Sequence, residues 1–391
     1  MSSLDFATVA IWALAALLPL VALMMTLFNL VTWPRGRRGK TFGVRRVSVL
    51  IPARDEEATI ERCVRAILEG SHPVDEVLVY DDQSTDKTPA ILARLCDEFD
   101  ELRVIDAQEL PTGWVGKPHA CHRLAEAASG DILVFVDADT FLQDDGLERI
   151  ADIFDHKHAD LVTAVPRQKS VGFVERLVLP LLHLTYTSWF PLMLVYKSQD
   201  PRFLAANGQL LAIARSTYDD IGGFEAVRDE VVDDMALCRR AKEHGHTVVF
   251  ADGFEMATCR MYGSAGEVWQ GFSKNLYEGV GASPVALLAV VVVYSVAFVV
   301  PYVALGAALA GLHWLLVPAI FGVAANVSLR AVLAWRFRQP WEGVLLHPVG
   351  VLALLGIALN SFRWHVGDSI VWSGRTYARK SRRGDVVSED L

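Results

Sequence analysis

Ile132-Leu-Val-Phe-Val-Asp-Ala-Asp139 is the stretch that decides the fold. Five apolar residues run straight into two carboxylates one residue apart. A run with no polar face suits a central strand of a parallel sheet covered on both sides. Open α/β sheets take their ligands beyond the carboxyl ends of the strands, where Asp137 and Asp139 fall. In an extended backbone the two project to one side. Two carboxylates aimed at one point make a seat for Mg2+ or Mn2+, hard cations that prefer oxygen ligands and often share them with substrate phosphates. The competing interpretation is a solvated turn in which an Asp caps a helix.

The flanking sequence supports the first interpretation. Val47-Ser-Val-Leu-Ile51 reads as a short strand, followed by Pro52-Ala-Arg-Asp-Glu-Glu57 and a helix with apolar residues at Ile60, Val64, Ile67 and Leu68. Val77-Leu-Val-Tyr80 is a second strand and ends in Asp81-Asp82-Gln-Ser-Thr-Asp86. A helix over Thr88–Phe99, a strand over Leu102–Ile105 and a helix from Pro118 to Ala128 complete the alternation. That order predicts a doubly wound, mostly parallel α/β sheet of Rossmann-like form. Neither G-x-G-x-x-G nor G-x-x-x-x-G-K-[ST] occurs, so dinucleotide and P-loop binding are not supported. A third acidic cluster, Asp229-Glu-Val-Val-Asp-Asp234, opens a helix beginning Met235-Ala-Leu. One such Asp is easily a helix cap; three acidic clusters at element ends are harder to explain that way.

Composition bounds the rest. Of 391 residues, 52% are hydrophobic, and the mean hydropathy of +0.29 is high for a purely soluble enzyme. The net charge of -9 argues against a nucleic-acid partner on electrostatic grounds. Five cysteines without C-x-x-C spacing indicate reduced thiols and no zinc site.

The apolar excess lies at the two ends. Val9–Trp33 carries no charge and is long enough to cross a bilayer. Arg35, Arg37, Arg38 and Lys40 follow it, the flank of an anchor whose C-terminal side is cytoplasmic rather than of a cleaved signal. Pro284–Leu312 and Trp314–Leu333 are each able to span, and Val344–Leu359 is a shorter third segment. Three full crossings after a cytoplasmic domain would put the basic tail Gly374–Arg383 outside, against the positive-inside rule; the tail is expected on the cytoplasmic side, with the last segment re-entrant. The expected organisation is an anchor and basic flank over 1–40, a catalytic domain over 41–282, and an apolar region with a basic tail over 283–391. The expected location is the inner membrane, multi-pass, with the catalytic domain in the cytoplasm.

Val47–Glu57, Asp81–Asp86, Gly113-Trp-Val-Gly-Lys117, Asp137-Ala-Asp139 and Asp233-Asp-Met-Ala-Leu237, in this order, resemble a family 2 glycosyltransferase of the GT-A fold. With its apolar ends the chain is similar to membrane enzymes of the carotenoid- and hopanoid-associated and ceramide-glucosyltransferase-like group. The resemblance implies an inverting, metal-dependent transfer of a sugar from a nucleotide-sugar, a UDP-sugar in particular, to a hydroxyl or carboxyl of a lipid acceptor. It places Pro52, Ala53, Arg54, Glu56, Asp81, Asp82, Lys117, Asp137, Ala138, Asp139 and Lys274 on the donor side. Asp139, with Asp137, is implied as the metal seat, and Asp81 and Asp82 as contacts to uracil or ribose.

An acceptor hydroxyl loses a proton as it attacks, and a carboxylate in reach is a suitable base. The matching family position is Asp234, with Asp233 next to it. The acceptor side is assigned to Asn207, Gly208 and Gln209, to the Gly222-Gly223 turn and to Gln270. Processive polysaccharide synthases carry Q-x-x-R-W where this chain has Gln270-Gly-Phe-Ser-Lys274, which counts against a polymerase. Phe173–Tyr196, broken by Pro180 and Pro191, reads as one or two helices on the membrane surface, with Leu177, Leu181 and Leu184 expected to serve use of the lipid acceptor. The competing functions are a polysaccharide synthase and a non-catalytic membrane scaffold on the same fold.

Overall fold

A computed structural model describes residues 3–367, 370–372 and 375–377. It begins with a long apolar helix, α1 (Ser3–Thr32). The sheet domain follows as β1 (Val47–Ala53), α2 (Ile60–Leu68), β2 (Glu76–Asp81), α3 (Thr88–Cys96), β3 (Leu102–Ile105), α4 (Gly116–Ala127), β4 (Ile132–Val136), β5 (Thr140–Leu142), α5 (Gly146–Lys157) and β6 (Leu161–Gln168). Three short helices, α6 (Phe173–Val178), α7 (Leu181–Thr187) and α8 (Leu194–Lys197), precede β7 (Leu210–Ala214), α9 (Arg215–Asp220), α10 (Asp233–Glu243), β8 (Val248–Cys259) and α11 (Ala265–Gly279). The C-terminal region holds α12 (Pro284–Phe298), α13 (Val300–Leu309), α14 (Leu316–Arg336), α15 (Glu342–Leu345), α16 (His347–Val366) and a small hairpin of β9 (Ile370–Trp372) and β10 (Arg375–Tyr377).

Eight strands form one mixed sheet in the order β3-β2-β1-β4-β7-β6-β8-β5. The doubly wound half is parallel, as expected: β4 runs parallel to β1, with Val47 opposite Ile132. On its other side β4 meets antiparallel β7, with Val136 opposite Leu210. Every residue of β4 is buried, which is why none is polar. The pleat divides them: Leu133 and Phe135 enter one apolar cluster, while Ile132, Val134 and Val136 enter another with residues of α2 and α5. The first cluster continues without a break through α7 into Phe298, Leu329, Leu333 and Val351 of the C-terminal helices.

Among the described residues, four helical segments are long and apolar enough to cross a membrane: Trp12–Thr32, Pro284–Leu309, His313–Arg336 and His347–Val366. The second is broken near Val299, ahead of Pro301, giving α12 and α13. The last is a full 20 residues rather than the shorter segment the sequence suggests. Most of the basic tail lies outside the described residues.

Polar contacts fix these helices to the sheet domain. Asn29 of α1 donates from Nδ2 to the carbonyls of Thr187 (2.8 Å) and Phe190 (2.9 Å), and its Oδ1 accepts the Leu192 N–H (2.8 Å). The buried Asp252 carboxylate accepts from Arg35 after α1 (3.0 Å) and from Arg336 at the end of α14. Arg37 and Arg38 pair with Asp152 and Asp145 of the domain. The basic flank is thus a set of specific anchors as well as a charge signal. Gly350 of α16 lets that helix lie against α6, since a Cβ there would meet the Leu177 carbonyl at 2.9 Å.

Phe173–Tyr196 is three helices rather than one or two. Leu177 (5% exposed), Leu181 (1%) and Leu184 (0%) face the protein interior, not lipid. The first apolar cluster claims Leu181 and Leu184 because α1 and α14 lie over that face of α7.

Candidate functional site

Where β1, β2 and β4 end, a cleft of about 630 Å3 opens, bounded by the loop before β7, the start of α10, and helices α7 and α11. Pro52, Ala53, Arg54 and Glu56 line it from the end of β1, and Asp82 from the end of β2. Arg54 Nη1 donates to the Asp82 carbonyl at 2.8 Å and lies 3.7 Å from its carboxylate, fixing that end of the cleft. Asp137, Ala138 and Asp139 line it from the end of β4, in a turn closed by the Thr140 N–H on the Asp137 carbonyl (2.9 Å). The loop Leu204–Gln209, together with Asp233 and Asp234, forms the opposite wall.

Lys117, at the start of α4, places Nζ 2.6 Å from Asp137 Oδ1. Partial burial disfavours its ammonium, yet the charges of Asp137 and Asp233 hold it protonated well above the usual lysine range. Lys274 enters from α11; burial pushes it down to about 8, against the pull of Asp233.

The carboxylates outnumber these cations. Burial, with the charge of Asp137 beside it, pushes Asp139 up to about 6, although a hydrogen bond from the Thr140 hydroxyl (3.1 Å) supports the charged form. Glu56 is pushed up to about 7, chiefly by burial and then by Asp139 and Asp137. Burial is the largest cause of both shifts, and the like charges of Asp137 and Asp139 add to it, so the cleft end carries more carboxylate than the two lysines offset. That fits a divalent cation held by Asp139 and Asp137. Among the described residues no cluster of three or more His, Cys, Asp or Glu forms a complete metal cage. A magnesium-like ion needs none, because one or two carboxylates plus substrate phosphates suffice.

Asp233 and Asp234 stand at the head of α10, where backbone N–H groups favour negative charge. The helix start leaves Asp233 buried, while partly buried Asp234 accepts the Met235 N–H at 2.8 Å. Burial and the neighbouring Asp233 push Asp234 up to about 6. Asp233 is raised by burial and by Asp137, with Lys117 opposing. Gly208 packs on this pair: a Cβ there would lie 3.3 Å from Asp234 Cβ and 3.4 Å from Lys117 Nζ.

Most of the expected residues meet here, but four do not. Asp81 is absent from the cleft wall; its Oδ1 accepts the Ser84 N–H at 3.1 Å and builds the turn that aims Asp82 inward. Gly222 and Gly223 form a positive-φ turn against Tyr218 and Arg240, remote from the lining. Gln270 is exposed on the outer face of α11, one helical turn from Lys274, which faces in. Asn207 and Gln209 line the cleft, yet their side chains also brace it: Asn207 Oδ1 accepts the Gln209 N–H (3.1 Å), and Gln168 Nε2 donates to Gln209 Oε1 (2.7 Å). Asp86 accepts the Thr88 N–H at the start of α3 at 2.9 Å.

An apolar end of the cleft went unread in the sequence. Leu182, Thr185, Tyr186 and Phe190 line it from the α7 region, and Met261, Tyr262, Phe272, Leu276 and Val280 from α11 and its approach. The 182/185/186 spacing is a helical face pattern; only the fold shows that this face, and not that of Leu181 and Leu184, borders the cleft. Burial pushes the Tyr186 hydroxyl up to about 12, with the charge of Asp234 adding to the shift.

Residues 45–276, more than half of the chain, match the family described as glycosyltransferase like family 2, and the chain belongs to that family. The 4,4'-diaponeurosporenoate glycosyltransferase of Staphylococcus aureus (strain USA300) is 25% identical over 258 residues, 65% of this chain and 66% of the relative. The chain therefore spans just under two thirds of that relative's length. The enzyme of strain MRSA252 is 27% identical over 259 residues, with the same coverage. The mannosyltransferase of Pyrobaculum calidifontis, solved with GDP-mannose and Mn2+, superposes with a TM-score of 0.54 at 19% identity, covering 90% of this chain and 99% of that one. That likeness shows a shared GT-A fold.

Proposed function

We propose that this family 2 glycosyltransferase moves a sugar from a nucleotide-sugar donor, a UDP-sugar by the sequence resemblance, to a hydroxyl or carboxyl of a lipid acceptor, with inversion at the sugar carbon. One observation carries the reading: a single cleft joins a polar end at Asp82, Asp137, Asp139 and Lys117 to an apolar end at Leu182, Phe190, Leu276 and Val280. A charged donor suits the first end and the apolar body of a lipid the second. The diaponeurosporenoate for which the Staphylococcus aureus relatives are named, an acceptor of the carotenoid type, agrees with it. So does the GDP-mannose bound to the Pyrobaculum calidifontis enzyme, as far as a nucleotide-sugar is concerned.

In this reading Arg54 and Asp82 hold the nucleoside end. Asp139 and Asp137 hold a Mg2+ or Mn2+ ion, which when bound supplies a Lewis acid to the diphosphate leaving group. Lys117 and Lys274 add positive charge on the same side of the cleft. Asp234 takes the proton of an acceptor hydroxyl, and its raised affinity for protons suits a base working near neutral pH. An acceptor carboxylate has no proton to give, so that acceptor needs no base. Asn207 and Gln209 stiffen the wall between donor and acceptor. The four apolar helical segments among the described residues support a seat at a membrane, and the basic flank after α1 supports a cytoplasmic side for the domain.

The test is turnover. Membranes holding the protein are given labelled UDP-glucose and Mn2+, then extracted with organic solvent. Label in the lipid extract supports the reading. Label in insoluble polymer identifies a polysaccharide synthase, and no incorporation from any nucleotide-sugar identifies a non-catalytic scaffold.

A further inference from the structure

Four cations crowd the end of the sheet where β6, β8 and β5 lie side by side: Arg62 on α2, Arg167 on β6, Lys169 just past β6 and Arg260 just past β8. Backbone bonds fix their spacing. The Lys169 N–H donates to the Cys259 carbonyl at 2.8 Å, and the Arg260 N–H to the Asp139 carbonyl at 3.3 Å. Arg62 lies over the Phe141 ring of β5 at 4.0 Å. Among the described residues none of the four has a carboxylate partner, whereas Arg35, Arg37, Arg38, Arg54 and Arg149 are all paired. Lys169 loses its proton more readily than an ordinary lysine, first through burial and then through Arg62, Arg167 and Arg260. In a chain of net charge -9, acidic partners are not scarce. Leaving this cluster without one costs stability through like-charge repulsion.

The cluster extends toward the apolar helices in two directions. Arg167, Arg336 and Arg338 gather on one ring, Phe254, at 5.2, 5.4 and 5.8 Å. Arg336 ends α14 and is taken by Asp252, while Arg338 is exposed. In the other direction Lys169 leads within four residues to Val171 and Phe173, 56% and 61% exposed. Phe173 opens α6, which packs on α16. The strip of cations therefore follows the seam between the catalytic domain and the apolar helices, with two exposed apolar side chains at its edge.

We propose that Arg62, Arg167, Lys169, Arg260 and Arg338 bind the phosphate headgroups of anionic phospholipids, with Val171 and Phe173 entering the acyl boundary. Basic residues at a membrane seam are attracted to anionic lipid over about a Debye length. Lipid phosphates supply the missing counter-charge without any protein carboxylate. Because Arg260 is bonded to the Asp139 backbone, headgroups on this strip hold the mouth of the cleft against the bilayer surface. The inference rests on the membrane placement given under the proposed function, which carbonate extraction of membranes tests separately.

The binding test uses the full chain in detergent micelles, without donor or acceptor. Phosphatidylglycerol and phosphatidylcholine are offered in competition, and retained lipid is read by native mass spectrometry. The wild type is expected to retain phosphatidylglycerol preferentially. The Arg62→Gln/Lys169→Gln/Arg260→Gln variant is expected to lose that preference by tenfold or more, at roughly fivefold per basic residue. Lys169→Gln/Arg338→Gln, at two exposed positions that do not line the cleft, is expected to lose part of it. Unchanged phosphatidylglycerol retention in both variants overturns the proposal. So does loss of UDP binding with phosphatidylglycerol retention intact, which assigns the cations to steering of the donor.

Discussion

Lys117 Nζ lies 2.6 Å from Asp137 Oδ1, so one carboxylate of the Asp137/Asp139 pair is held by a protein cation and the other is not. Asp139 carries the raised proton affinity and Asp137 the ion pair. The two aspartates, one residue apart, are therefore not equivalent. Lys117→Met should lower the melting temperature at neutral pH, because Asp137 and Asp233 lose their shared counter-charge. The loss should be about 1–3 kcal/mol, toward the lower figure because the pair is partly exposed to solvent. Lys117→Met/Asp137→Asn should recover part of it in a double-mutant cycle. Strict additivity would show that the two residues do not act as a pair.

Asp139→Ala should abolish transfer while the protein stays folded in the membrane, since the residue lines the cleft and belongs to neither apolar cluster. EDTA should do the same to the wild type, and added Mn2+ or Mg2+ should restore activity. Full activity in EDTA would remove the metal from the mechanism.

Asp234→Asn keeps the shape of the side chain and removes its basicity. With an alcohol acceptor kcat should fall by roughly 100-fold or more, while UDP binding persists. The wild-type rate should fall as pH drops through about 6, where Asp234 takes up a proton. Stability should move the other way. The folded-state proton affinity of Asp234 lies above that of an unfolded Asp, near 3.9, so its ionisation weakens the fold as pH rises through about 6. The Asn variant should therefore melt no lower than the wild type at pH 8, and any difference should vanish below pH 4. If Asp233→Asn is inactive and Asp234→Asn active, the base is the other member of the pair.

Gly208→Ala places a methyl 3.3 Å from Asp234 Cβ and 3.4 Å from Lys117 Nζ. The flexible lysine end can give way and the helix-borne Asp234 cannot do so easily. Transfer should drop by about tenfold or more as the base is displaced, with little change in melting temperature. An unaltered rate would mean that this wall tolerates movement.

The two faces of α7 should separate by measurement. Leu182 on α7 and Phe190 just beyond it line the apolar end of the cleft, and Leu182→Ser or Phe190→Ser should raise the KM for a lipid acceptor while leaving donor KM unchanged. Leu184→Ala, in the shared core, should cost roughly 2–5 kcal/mol in stability instead. A water-soluble sugar serving as the better acceptor, with acceptor KM indifferent to Leu182 and Phe190, would end the lipid reading.

Local sequence determined a good part of this protein. Strand β4 is legible because five consecutive buried positions leave no room for a polar residue, and its carboxylates are legible because they sit where the strand must stop. The head of α10 shows itself by an acidic pair before a helical pattern, and the apolar helices show themselves by length alone. Each of these signals comes from neighbours in the chain. Tertiary structure alone decided the rest. It turned Asp81 into a turn and Asp82 into the cleft, set Lys117 on Asp137, and left Gln270 outside while Lys274 faces in. It buried Leu181 and Leu184 under α1 and α14 and gave the cleft to Leu182 and Tyr186. An apolar helix face reads the same from sequence whether its partner is lipid, a substrate cleft or another helix. Only packing between segments far apart in the chain, such as Asn29 on Thr187 and Arg336 on Phe254, chooses among them.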